Sequence, residues 1–129
     1  MNHKLKILPP TMRDKKRYIA FELIFQGHMS REDVINTITD ASLYLHCSCG
    51  TGKFDLWVVR LWNCNKKNTY NDHNVEKHMK GIIRCRREEI DSVRAVLPTI
   101  TKFRGNNVVF HTLGISGTIK SAIKNFIKL

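Results

Sequence analysis

Three groups of side chains in this sequence have types and spacing that could do chemistry. The densest is cationic: Arg13, Lys15, Lys16 and Arg17 form a run broken only by Asp14, and Lys80, Arg84 and Arg86 recur at even spacing further along. Guanidinium and ammonium groups gathered this way suit phosphate oxygens, arginine by paired hydrogen bonds and lysine as a point charge. The second group is thiol and imidazole: His46, Cys47, Cys49, Cys64 and Cys85, with His73 and His78. Zinc takes such ligands, but its cysteine pairs are separated by about two to four residues. Cys47 and Cys49 are separated by Ser48 alone, so no metal site is expected. The third group is glycine-rich: Gly50-Thr51-Gly52-Lys53 lacks both the spacing of a Walker loop and a hydroxyl residue after the lysine. No Ser/His/Asp or Cys/His grouping stands out, the scattered histidines read as surface residues, and no catalytic residue is expected.

The cationic groups belong to a wider imbalance. The chain has 22 Lys plus Arg against 11 Asp plus Glu, a formal net charge of +11, which predicts a polyanionic partner. Phosphate contacts dominate such binding energetically, which favours nucleic acid over an anionic membrane. No apolar stretch approaches the length of a membrane span, and Met1-Asn2-His3-Lys4 lacks the apolar core of a signal peptide. The expected location is therefore cytoplasmic, with reduced thiols and no membrane partner. A length of 129 residues with 42% hydrophobic content fits one domain with a real core and excludes a disordered chain.

These side chains must be positioned by a small set of elements. Residues 1–16, with Pro9 and Pro10, read as an extended basic arm, and residues 17–129 as one domain. Ile19, Phe21, Leu23 and Phe25 alternate as the apolar face of a first strand. Ser30 caps a helix with Glu32 and Asp33 in its first turn, and Val34, Ile35, Ile38, Ala41, Ser42 and Leu45 give it an inward stripe to about His46. Gly50 and Gly52 are expected to end that connection, with a second strand over 53–62 and a loop over 63–74. A third strand over 78–87 places Lys80, Ile82, Arg84 and Arg86 on one face and Gly81, Ile83, Cys85 and Arg87 on the other. A short helix from Glu88 to Pro98, a basic turn over 102–107 and a fourth strand over 108–113 follow. Gly114 and Gly117 allow a sharp exit into a closing helix with Lys120, Lys124 and Lys128 in an i, i+4 stripe, which suits solvation and RNA contact equally.

The order strand, helix, strand, strand, helix, strand, helix predicts an α+β fold. It is a ferredoxin-like, RNA-recognition-type βαββαβ sandwich with an extra C-terminal helix. In RNA-recognition motifs the third strand carries a basic residue, a glycine and then aromatics on which bases stack. Here Lys80-Gly81-Ile82-Ile83-Arg84-Cys85-Arg86 has isoleucine and arginine where rings belong, which predicts backbone recognition without a stacking platform. Trp57, Ile82 and Val108 are expected on the face opposite the helices, where an exposed apolar patch would meet a protein. Two further readings stay open: a ribosomal-type RNA-binding module, and a small enzyme. For the enzyme, Gln26-Gly27-His28 with Arg31 resembles the phosphate loop of acylphosphatases, with Asn63 as the second-strand asparagine.

A closer resemblance spans the chain. Leu8-Pro9-Pro10-Thr11-Met12-Arg13-Asp14-Lys15-Lys16-Arg17-Tyr18-Ile19-Ala20-Phe21, then Gly81-Ile82-Ile83-Arg84-Cys85, then Gly114-Ile115-Ser116-Gly117-Thr118-Ile119 resemble, in order, the archaeal ribonuclease P protein component 2 family. The resemblance implies a subunit of the ribonucleoprotein endonuclease that removes the 5′ leader from precursor tRNA. It implies that the RNA subunit holds the catalytic Mg²⁺, with no cofactor bound by the protein. The implied partners are ribonuclease P RNA, ribonuclease P protein component 3 and other ribonuclease P proteins, with precursor tRNA in the complex. Two copies of components 2 and 3 would form a heterotetramer, this chain contributing a homodimer. The RNA contacts it implies are Arg13, Lys15, Lys16, Arg17, Arg84 and Arg86, to which the reading of the third strand adds Lys80.

Overall fold

The computed structural model describes the backbone of residues 15–54, 56–64 and 76–127, and the side chains of the same residues except 46–54. Alternation along the first strand sets the architecture. In β1 (Lys16–Phe25), Ile19, Phe21, Leu23 and Phe25 all point to one face and are buried. β1 lies between β3 (Lys77–Arg86) and β5 (Asn106–Ser116), with β2 (Trp57–Asn63) outside β3 and the two-residue β4 (Lys102–Phe103) outside β5. Every neighbouring pair is antiparallel. The order β2-β3-β1-β5 is that of the expected ferredoxin-like sandwich.

One face of the sheet is covered by α1 (Arg31–Phe54) and α2 (Ile90–Val96). Val34 and Ile38 of α1 and Val93 of α2 pack against the odd-numbered β1 residues, together with Val58, Ile83, Cys85 and Phe110. The start of α1 is fixed by a reciprocal box: Asp33 N–H donates to Ser30 Oγ at 3.2 Å, and Ser30 N–H donates to Asp33 Oδ2 at 2.9 Å. The helix runs past the expected stop at His46 and carries Gly50 and Gly52 within it, so β2 begins at Trp57. A helical glycine is disfavoured by only about 1 kcal/mol relative to alanine, and with no proline nearby nothing forces a break.

The opposite face is covered by the chain's own C-terminus. α3 (Ile119–Ala122) continues as a π-helical turn through Ile127. Ala122 and Ile127 are buried against Ala20 and Ile82, with Tyr18, Trp62, Leu113 and Phe126 around them. This corrects the expected apolar patch: Ile82 is fully buried beneath α3, and Val108 faces the α1/α2 core. Of the three, Trp57 alone is exposed, at 63%. Gly114 has a role other than a turn. It lies within β5, and a Cβ there would run into the Phe126 ring, so the missing side chain makes room for α3.

Candidate nucleic-acid interface

Because directly paired residues in a sheet point to the same face, the strand register shows which cations meet. Lys16 pairs with Arg86, Tyr18 with Arg84, and Arg84 in turn with Trp57 on β2. Ala20 and Ile82 pair in the next row on this face, where α3 begins its cover. Lys16, Tyr18, Trp57, Arg84 and Arg86 therefore share the end of that sheet face beyond Ala20 and Ile82, with Tyr18 at the margin of the α3 cover. A bulge between Val58 and Arg60 adds a sixth residue: by shifting the register it pairs Arg60 with Ile82 and turns that exposed guanidinium to the same face. None of these six is acidic. Along β1 the first acid on this face is Glu22, which pairs with Lys80 beyond Ala20. The Arg84 Nε is buried with no hydrogen-bond partner among the described residues. Leaving such a donor unsatisfied costs about 1–3 kcal/mol.

A basic sheet end of this kind suits a phosphate backbone, and comparison with known proteins gives it a context. The family model for the Rpp14/Pop5 family matches residues 17–127. This chain belongs to the Rpp14/Pop5 family. Its relatives include proteins named ribonuclease P protein component 2 from three archaea. That of Methanothermobacter thermautotrophicus is 40% identical over 96% of this chain and 94% of its own length. Those of Methanobrevibacter smithii and Pyrococcus horikoshii are each 37% identical, over 94% and 98% of this chain and 96% and 95% of their own lengths.

In this Rpp14/Pop5 protein the described residues of the expected basic run do not share one face. Lys16 stands on the uncovered face. Arg17 pairs with Cys85, which turns it toward the α1/α2 side, and its Nη1 donates to the Lys16 carbonyl at 2.9 Å. Lys15 precedes the strand with its side chain exposed, while its carbonyl accepts from Arg87 N–H at 2.9 Å. Arg13 and the proline segment lie outside the described residues. Lys80 is on the same face as Arg84 but further along, and its Nζ donates to the Ile127 carbonyl at 3.0 Å, where it satisfies the end of the closing helix. Register thus gathers Lys16, Arg84 and Arg86 and sets Arg17 and Lys80 apart. Sequence reasoning missed Arg60, because a bulge leaves no mark in the residue pattern. It also missed Tyr18 and Trp57 as neighbours of Arg84, because the rings come from strands far from it in sequence.

The phosphate-loop reading fails on geometry. The Gly27 carbonyl accepts from the buried Lys77 Nζ at 2.6 Å, so the loop turns an acceptor inward onto a cation. A phosphate cradle needs N–H donors there. Arg31 shares a cleft with Leu56, Trp57 and Val58, whose lining includes no residue of that loop. Among the cysteines, Cys85 is fully buried, and burial pushes its thiol up to about 11, so it is protonated at neutral pH. Cys64 is exposed, and the Cys47 and Cys49 side chains lie outside the described residues. Among the described residues no group of three or more His, Cys, Asp or Glu could hold a metal, and no helix is long and apolar enough to cross a membrane.

Proposed function

We propose that this chain is the component 2 subunit of ribonuclease P, the ribonucleoprotein that removes the 5′ leader from precursor tRNA. The observation that carries this is the similarity over nearly the full length of both partners to proteins of that name. The basic sheet end supports a role for the protein in holding RNA. Lys16, Arg60, Arg84 and Arg86 neutralise phosphates where folded RNA strands crowd together, which is work otherwise done by Mg²⁺ and monovalent counterions. Cleavage chemistry then belongs to the RNA subunit and its Mg²⁺. In this reading the protein pairs with ribonuclease P protein component 3, two copies of each forming a heterotetramer, and works in the cytoplasm. The test is reconstitution. Adding the full chain with component 3 to the cognate RNA should raise precursor-tRNA cleavage at low Mg²⁺, and no gain in cleavage across the Mg²⁺ range rules the proposal out.

A further inference from the structure

In the usual RNA-recognition arrangement, bases stack on rings at the centre of the sheet. That centre is closed here, because Ala122 and Ile127 of the C-terminal segment bury Ala20 and Ile82. What remains beyond that cover is the end row Trp57, Arg84 and Tyr18, three side chains from three strands in direct register, of which Trp57 is exposed and the other two half-buried. Trp57 is 63% exposed, an unusual position for a residue whose indole removes so much apolar surface from water when covered. Protein partners also cover tryptophans, but this one pairs directly with Arg84 on the sheet face that carries Arg60, Arg86 and Lys16, with no acid among the strand residues of those rows. An RNA ligand matches that charge.

The ring also discriminates among RNAs. In an A-form duplex the bases are stacked on one another and shielded by a narrow major groove, so an indole on a sheet cannot reach a base face. An unpaired nucleotide offers its π-face on one side and its phosphate on the other. We infer that Trp57 is a stacking site for one unpaired RNA base, with Arg84 and its cationic neighbours holding the adjacent phosphates. The inference rests on the RNA-holding role proposed above and deepens it: the uncovered sheet end reads a single-stranded segment as well as backbone charge. Arg84 contributes through its position between two rings, where its partly desolvated guanidinium gains acceptors when a phosphate arrives. Tyr18 is half-buried against α3 and forms the inner wall of the row.

The experiment uses the full chain and two probes across a series of salt concentrations, an oligouridylate single strand and a blunt-ended, fully paired RNA duplex. Trp57→Ala should weaken oligouridylate binding about tenfold, the lower part of the range for loss of one stacked base, and leave duplex affinity unchanged. Trp57→Phe should retain most of the affinity. It should also lose the fluorescence quenching that accompanies oligouridylate binding to the unaltered chain, since Trp62 lies half-buried beside α3. Equal losses for both probes, or no loss for either, overturn the stacking site. No loss of RNA affinity together with weaker binding of component 3 also overturns it and makes Trp57 a protein contact. The combined variant Lys16→Gln, Arg84→Gln, Arg86→Gln separates the two levels. If it flattens the salt dependence while Trp57→Ala has no effect, the RNA-holding role stands and stacking alone falls. If it leaves the salt dependence unaltered, this end does not hold RNA and both fall.

Discussion

At the scale of single residues, cations on one strand, β3, are set apart by their neighbours. Lys80 and Arg84 are two rows apart on the same face of β3. Arg84 stands between Tyr18 and Trp57 at the open end, whereas Lys80 reaches the carbonyl of Ile127 and joins the closing helix to the sheet. Charge alone would assign both to RNA. The hydrogen bond separates them, because a lysine already engaged with a helix end gives up a stabilising contact if it turns to a phosphate. Lys80→Met should therefore lower stability by about 1 kcal/mol, the worth of one typical hydrogen bond, as read by urea unfolding. The slope of RNA affinity against salt should stay where it is. A flatter slope in Lys80→Met would place that lysine on the RNA. The buried Lys77 is a parallel case, its ammonium turned to the Gly27 carbonyl.

At the scale of elements, the helix and strand patterns were legible in the sequence wherever burial enforces a period. The apolar face of β1, the two faces of β3 and the Ser30 start of α1 all occur where alternation, helical spacing and capping chemistry place them. Each of those signals is local. The docking of α3 depends on contacts with distant segments, and the end of α1 lies beyond two glycines that a helix tolerates, so neither was legible. The capping box gives a pH prediction. The Ser30 N–H bond holds the Asp33 carboxyl below its ordinary value of 3.8, with further help from the Ser30 hydroxyl and Arg104. A carboxylate lowered on folding contributes stability that is fully present above that ordinary value and is lost as pH falls through the folded one. Asp33→Ala should thus lower the melting temperature near neutral pH, by an effect equivalent to about 1 kcal/mol. The gap to the unaltered protein should narrow below pH 3.8. A gap that stays constant into acid would remove the carboxylate from the cap. For the closing helix, Gly114→Ala should be destabilising by about 1–3 kcal/mol through overpacking against Phe126. Adding Phe126→Leu should recover part of that loss, and strictly additive effects in the double variant would mean that the two positions do not meet.

At the scale of the whole molecule, the formal charge of +11 belongs to the composition, whereas register places particular cations together. The β1–β3 end of the sheet carries Lys16, Arg60, Arg84 and Arg86, while Arg94 on α2 and Lys102 on β4 are exposed elsewhere. Lys102 pairs with Asn107 at the start of β5, whereas Tyr18 pairs with Ser116 at the finish of that strand, so the β4 cation lies toward the other end of the sheet. Composition could not separate these sets, because a count of cations carries no register. The separation is testable with equal changes of charge. If the open end holds phosphates, Arg84→Gln with Arg86→Gln removes two contacts and should flatten the slope of log affinity against log salt by about 1.4–1.8. Arg94→Gln with Lys102→Gln changes the net charge equally and should leave the slope nearly unaltered. The same comparison in the reconstituted particle should raise the Mg²⁺ needed for cleavage with the first pair alone, because cations lost from the protein must be replaced by ions from solution. Equal shifts for both pairs would mean that the protein acts through its overall field, and the sheet end would have no special claim on the RNA.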